Sequence, residues 1–297
     1  LNGFGQKSEY TYRNPLDSSF NCYLTVLPEN TSIKGLLIRD FSRLPKLPSD
    51  RSYPFKWRDL ALENGFLVLY TVSSNYFPEL FYDEKPLILL DDMVYEVVKK
   101  YNIPSQNIFI GGISASGTRA LKYTQFCNQG KSRFGIKISG VFSVDSPLDL
   151  ERFYFSALKH HKYFKKGMKS EAELVQKVFM ERLGNPYENK ESYTQASVYS
   201  ASDNDGGNAK QLKKSSVLMF HEPDIDWWSN ERGAIYYDMN SYDIAGMYVY
   251  LLSQNHMDIE LITTSGLGFD RNGNRNCHSW TIVDEKYLIN WMVTRLK

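Results

Sequence analysis

Eight short apolar stretches, most of them continuous rather than alternating, limit what this chain can fold into. Glu9–Arg13 and Asn21–Leu27 alternate and are aromatic or β-branched, as in a leading hairpin. Gly35–Phe41, Phe66–Val72, Asn107–Ser114, Gly140–Val144, Ser216–His221 and Ile259–Thr263 are near-unbroken apolar runs of strand length. Such runs suit strands covered on both faces, which is the situation in a parallel sheet packed between helices. Helical patterns fall between them. Leu90, Met93, Val94, Val97, Val98 and Tyr101 repeat at i, i+3, i+4, with Asp91 and Asp92 early, Lys99 and Lys100 late, and Pro104 beyond. That charge order complements the helix dipole. Tyr287, Leu288, Trp291 and Met292 mark an amphipathic helix at the end of the chain.

The expected architecture is therefore α/β: one domain over 1–297, with a mostly parallel central sheet flanked by helices. The strand–helix alternation breaks between β-like runs at 149–213, which reads as a helical lid inserted over one end of the sheet. Within it, Ser170 and Glu173 form a capping-box pair ahead of the apolar stripe Leu174, Val175, Val178, Phe179 and Leu183, and Gly184 with Pro186 stops the helix.

Composition removes several function classes. With 35 basic and 34 acidic residues and a formal net charge of +1, the chain lacks the basic excess of a nucleic-acid-binding surface. No apolar stretch approaches the roughly 20 residues of a membrane span. Cys22, Cys127 and Cys277 are far apart, so there is no CxxC metal or redox motif, and they read as buried thiols. "DNDGG" and "DRNGNRN" lack the glycine and glutamate spacing of a calcium loop, so no metal is expected. The opening "LNGFGQ" resembles the tail of a cleaved export signal, which makes a periplasmic or extracellular location an expectation beside a cytoplasmic one.

The chemistry concentrates in "NIFIGGISASGTRALKY", Asn107–Tyr123. An apolar strand runs through Gly111 and Gly112 to Ser114 and passes straight into a helix. A serine hydroxyl is a poor nucleophile unless a histidine takes its proton, an acid orients that histidine and backbone N–H groups stabilise the oxyanion. A strained strand-to-helix turn presents the serine, and the close approach of strand and helix demands small residues on either side. Gly112 lies two before Ser114; Ser116 lies two after, with Gly117 next. Ser116 as nucleophile would have Thr118 as its flank, which is bulkier.

The partners then follow in the order acid, histidine. Of five histidines, His278 lies on a Gly/Asn-rich loop after the last strand and before the final helix. His221 lies inside a strand, and His256 falls at the wrong end of the sheet. The acid is expected after "SVLMFH": Asp224 falls nearest the expected position, with Asp226 as its alternative. Asp145, after the preceding strand, ranks behind both.

Together the Ser114 turn, the acid in "HEPDIDWW" and His278 opening "HSWTIVDEKYLINW" resemble the α/β-hydrolase superfamily, in its esterase-like and peptidase-like branch, from Gly35 to the last helix. The resemblance implies hydrolysis of an ester, thioester or amide of a small acyl substrate through an acyl-enzyme, without a cofactor. It places the oxyanion donors at the N–H of Ala115 and at Phe41 or Ser42 in "RDFSRLP", with Phe41 taken as the donor. A serine peptidase and a catalytically silent binding module of the same fold are the alternatives. The basic stretch "LKHHKYFKKGMK" reads as a solvated face, or else as an attractor for an anionic substrate.

Overall fold

A computed structural model describes residues 7–29, 32–46 and 56–297; the export-like segment lies outside the described residues. The strands are β1 Ser8–Tyr12, β2 Cys22–Val26, β3 Gly35–Asp40, β4 Phe66–Val72, β5 Ile108–Ile113, β6 Gly140–Val144, β7 Ser216–His221 and β8 Ile259–Thr263. They form one sheet in the order β1-β2-β4-β3-β5-β6-β7-β8. β1 and β2 form the expected hairpin and β2 meets β4 antiparallel; every later pairing is parallel.

The continuous apolar runs are explained by the two cores. Leu36, Ile38, Ile108 and Ile110 point to one face, under α2 (Lys85–Tyr101), α3 (Ala115–Asn128) and α8 (Ser241–Ser253). Leu37, Phe109 and Phe142 point to the other, under α1 (Trp57–Glu63) and α9 (Glu285–Val293). Each strand residue alternates between two buried faces, so no polar alternation survives in the sequence.

Between β6 and β7 stand α4 (Leu150–His160), α5 (Lys166–Leu183) and α6 (Lys190–Ala196), packed around a third core of Tyr154, Val175, Phe179, Tyr193 and Trp228. The expected capping box is not the start of its helix. The helix α5 begins at Lys166, so Ser170 and Glu173 lie in its body, and Glu173 instead meets His161 Nε2 at 3.1 Å. The basic stretch is largely on the outside: Lys165 Nζ donates to the Asn230 carbonyl and Lys166 pairs with Glu231.

Ser114 follows β5, Asp145 follows β6 and His278 follows β8, all at the carboxyl edge where ligands bind in open parallel sheets. The Phe142 ring of β6 lies over Gly111 of β5, in the space that a side chain there would fill. A Cβ on Gly111 would lie 2.4 Å from the buried Phe142 ring. Gly111→Ala is therefore expected to destabilise the fold by about 1–3 kcal/mol through overpacking, a fall of roughly 2–4 °C in Tm per kcal/mol, measured by thermal unfolding followed by circular dichroism.

Candidate active site

Ser114 is held at φ 54° and ψ −132°, outside the regions favoured by an L-residue with a side chain. The surroundings enforce this. Its N–H donates to the Val144 carbonyl at 2.9 Å, and its carbonyl accepts from Gly117 and Thr118 at 2.9 and 3.1 Å. Ser116 closes the turn: its hydroxyl donates to the Ile113 carbonyl at 2.8 Å and accepts the Ile113 N–H at 2.9 Å. That explains a serine where glycine is commoner, and it leaves the Ser116 hydroxyl engaged. A Cβ on Gly112 would fall 2.3 Å from Ser116 Oγ, and one on Gly117 would fall 2.1 Å from Ser146 Oγ. The turn needs both glycines for close approach.

His278 Nδ1 lies 2.6 Å from Asp145 Oδ2, so the structure pairs His278 with the carboxylate after β6. This corrects the expectation at Asp224. The Asp224 carboxylate caps α7 (Ile225–Trp227) by accepting the Trp227 N–H at 2.9 Å, and it receives Arg275 Nη2 at 2.8 Å. Those two donors hold its pKa below the usual carboxylate value. Asp226 forms no hydrogen bond or ion pair with His278.

Asp145 is buried, which by itself would raise its pKa, but the positive field of His278 and His221 overrides burial and holds the carboxyl far below the usual range. His221 Nδ1 is 3.0 Å from Oδ1, close but off the line of a hydrogen bond. Asn240 Nδ2 donates to the Asp145 carbonyl at 3.0 Å and to Oδ1 at 3.3 Å. Asp145 also takes a positive φ of 42°, like Ser114 on the neighbouring strand. His278 feels burial, which would lower its pKa, but the Asp145 charge and hydrogen bond, with a smaller contribution from Glu171, raise it above the ordinary 6.5.

The loop that delivers His278 is anchored twice. Glu222, at the end of β7, accepts Thr264 Oγ1 at 2.7 Å and the N–H groups of Leu267 and Gly268 at 3.0 and 3.3 Å, and pairs with Arg275. Arg275 in turn bonds Asp224 and the Gly268 carbonyl. On the other side, the buried Arg39 guanidinium lies 4.5 Å from the Trp280 ring and 4.6 Å from the Trp57 ring; burial lowers its pKa to about 10. Trp280 follows His278 by two residues, so this cation–π contact holds the loop from behind. Glu222, Asp224 and Cys277 are the one cluster with metal-ligand spacing among the described residues, and the Arg275 guanidinium bridges its two carboxylates.

The expected oxyanion donors divide. Ala115 is the first residue of α3, so its N–H has no intrahelical acceptor. The Phe41 N–H is not free: it donates to the Thr71 carbonyl at 2.8 Å, because the β3–β4 ladder runs one residue past Asp40. The end of β3 is further fixed by Asp40, which lies 3.0 Å from Arg119 on α3 and accepts Thr71 and Ser73.

Ser114 and Ala115 open into a cavity of about 300 Å³, walled by Leu80, Pro147 and Phe153 and covered by Leu174 and Val175 of α5. Glu171, also from α5, lines it as well. Sequence reasoning missed Glu171, because the position carries no motif and only the packing of α5 over Ser114 brings it there.

No family model matches the chain, and no curated protein does. Among solved structures, it is similar to esterase B from Lactobacillus rhamnosis, at 10% identity and TM-score 0.62, covering 97% of this chain and 87% of that one. It is also similar to fungal esterases from Rhizomucor miehei, at 13% identity and TM-score 0.56, covering 98% and 83%. The acylaminoacyl peptidase of Pyrococcus horikoshii matches at 13% identity and TM-score 0.56, and this chain spans 98% of itself but 40% of that protein. The chain has the α/β-hydrolase fold, with no subfamily assigned.

The geometry yields a titration test. In Asp145→Asn the raising charge is gone while burial remains, so the His278 pKa is expected to drop below 6.5. In Asp224→Asn it is expected to stay above 6.5. Imidazole NMR titration of the two variants measures both.

Proposed function

We propose that the protein is a serine hydrolase that cleaves a carboxylic ester, or a related acyl bond, through an acyl-enzyme. The observation that carries this reading is the strained Ser114 turn at one strand end beside the bonded His278–Asp145 pair of the next. Ser114 Oγ attacks the acyl carbon and its proton passes to His278 Nε2, the ring nitrogen left by the Nδ1 bond to Asp145. The tetrahedral oxyanion takes the Ala115 N–H. With Phe41 committed to Thr71, the next residue, Ser42, supplies the second N–H. Collapse breaks the bond to the leaving group, which departs with the proton from Nε2. Water, deprotonated by the same nitrogen, then releases the acid and restores Ser114.

Asp145 keeps the imidazole in the tautomer with Nδ1 protonated and stabilises the imidazolium that forms. The helices over Ser114 act as a lid, and the apolar cavity beneath them takes the acyl group of a small substrate. The similar structures include both esterases and a peptidase, and turnover of short p-nitrophenyl esters against aminoacyl amides measures the preference for ester over amide.

Ser114→Ala is expected to abolish p-nitrophenyl ester turnover and labelling by a fluorophosphonate while leaving the circular dichroism spectrum unchanged; retained turnover refutes the assignment. Asp145→Asn is expected to lower kcat by about 10²–10⁴-fold, and Asp224→Asn by less than about ten-fold, since Asp224 acts on the loop and not on the imidazole. Because the base must be neutral, kcat/KM is expected to fall as pH drops through the raised His278 pKa, with the acid limb centred above 6.5.

A further inference from the structure

Glu171 has no part in the reaction above and no visible part in the fold. It lies one turn before Leu174 and Val175 on α5, and i, i+3 and i+4 share a helix face, so the face that covers Ser114 carries a carboxylate at its edge. It is the one charged residue lining the cavity among the described residues; the other walls are apolar apart from Ser114 and Ser170. It caps no helix, and no hydrogen bond or ion pair engages it among the described residues. Although its side chain reaches solvent, the surrounding walls displace enough water to raise its pKa. Its side chain is exposed and carries no partner among the described residues, so the carboxylate is open to a cation brought by a ligand.

Three charged groups act on Glu171, and none forms an ion pair with it. His278 and Arg232 act on it attractively and Asp145 repulsively. Arg232 stacks on Trp227 at 5.1 Å and makes no ion pair with Glu171. The nearby lysines point elsewhere, Lys165 to the Asn230 carbonyl and Lys166 to Glu231.

We propose that Glu171 selects acyl groups bearing a cation: a short apolar chain that fills the cavity beside Ser114 and ends in an ammonium or guanidinium group against the Glu171 carboxylate. This rests on the serine hydrolase reading and names the substrate class for that site. It also reverses the sequence-based option of an anionic substrate, since the basic stretch lies largely outside the cavity.

The test compares two p-nitrophenyl esters of equal shape, the 4-(trimethylammonio)butyrate and the 5,5-dimethylhexanoate. The intact protein is expected to favour the cationic ester in kcat/KM by about five-fold, mainly through KM, and the ratio is expected to fall to about one in Glu171→Gln. Loss of a negative charge near the imidazole is also expected to move the acid limb of the pH profile downward in that variant, a shift that a packing role for Glu171 would not produce. Ser114-dependent turnover with a ratio of one or less in the unsubstituted protein, or a ratio that survives Glu171→Gln, overturns the proposal while leaving the hydrolase reading intact. If neither ester is turned over, and Ser114 takes up no fluorophosphonate, the hydrolase reading itself fails.

Discussion

The site depends on a backbone conformation that a serine resists. Holding Ser114 at φ 54° costs of order 1–3 kcal/mol, and the cost is sustained because the surrounding contacts leave the chain no alternative. The Val144 carbonyl fixes the Ser114 N–H, the Ser116 hydroxyl ties both polar groups of Ile113, and two glycines remove the atoms that would otherwise collide. Relaxing the turn would break these bonds together. The turn leaves Ser114 lining the cavity and the Ala115 N–H without an intrahelical acceptor.

The same edge carries a second strained residue. Asp145, at φ 42°, leaves β6 one strand away and turns its carboxylate to His278. Its charge survives burial because imidazoles stand on both sides and an asparagine amide donates to one oxygen. A buried carboxylate so surrounded stays ionised. The His278 loop is held from opposite directions, by the Glu222–Arg275–Asp224 network on one side and by Trp280 over the Arg39 guanidinium on the other. These supports fix the loop on which His278 reaches the Asp145 carboxylate.

Much of the fold was legible in the chain because its signals are local. Apolar runs such as "FLVLYTV" and "SVLMFH" show two-sided burial, and the i, i+3, i+4 repeat from Leu90 to Tyr101 shows a helix against the sheet. The helix containing Ser170 was legible in its stripe but not in its start, because Lys165 at its N-cap has no side-chain capping bond to advertise it. Phe41 was misjudged because one more rung of the β3–β4 ladder consumes its N–H, and ladder length depends on the partner strand.

The turn at Ser114 and the place of His278 after the last strand were legible in the sequence itself. Small residues flanking a serine between strand and helix, and a histidine on the last loop before the final helix, are patterns in which spacing carries the constraint. The carboxylate that bonds His278 was decided by tertiary structure alone. Asp145 and His278 are 133 positions apart, and no spacing rule spans that distance. Asp224 stood at the expected strand end but was already bound to Arg275 and to the cap of α7, so it had no free oxygen directed at the imidazole. A carboxylate after either strand would satisfy the chain order. Which one reaches the histidine depends on where the intervening loop folds and which cations it brings, and both are set only when the sheet edge is assembled.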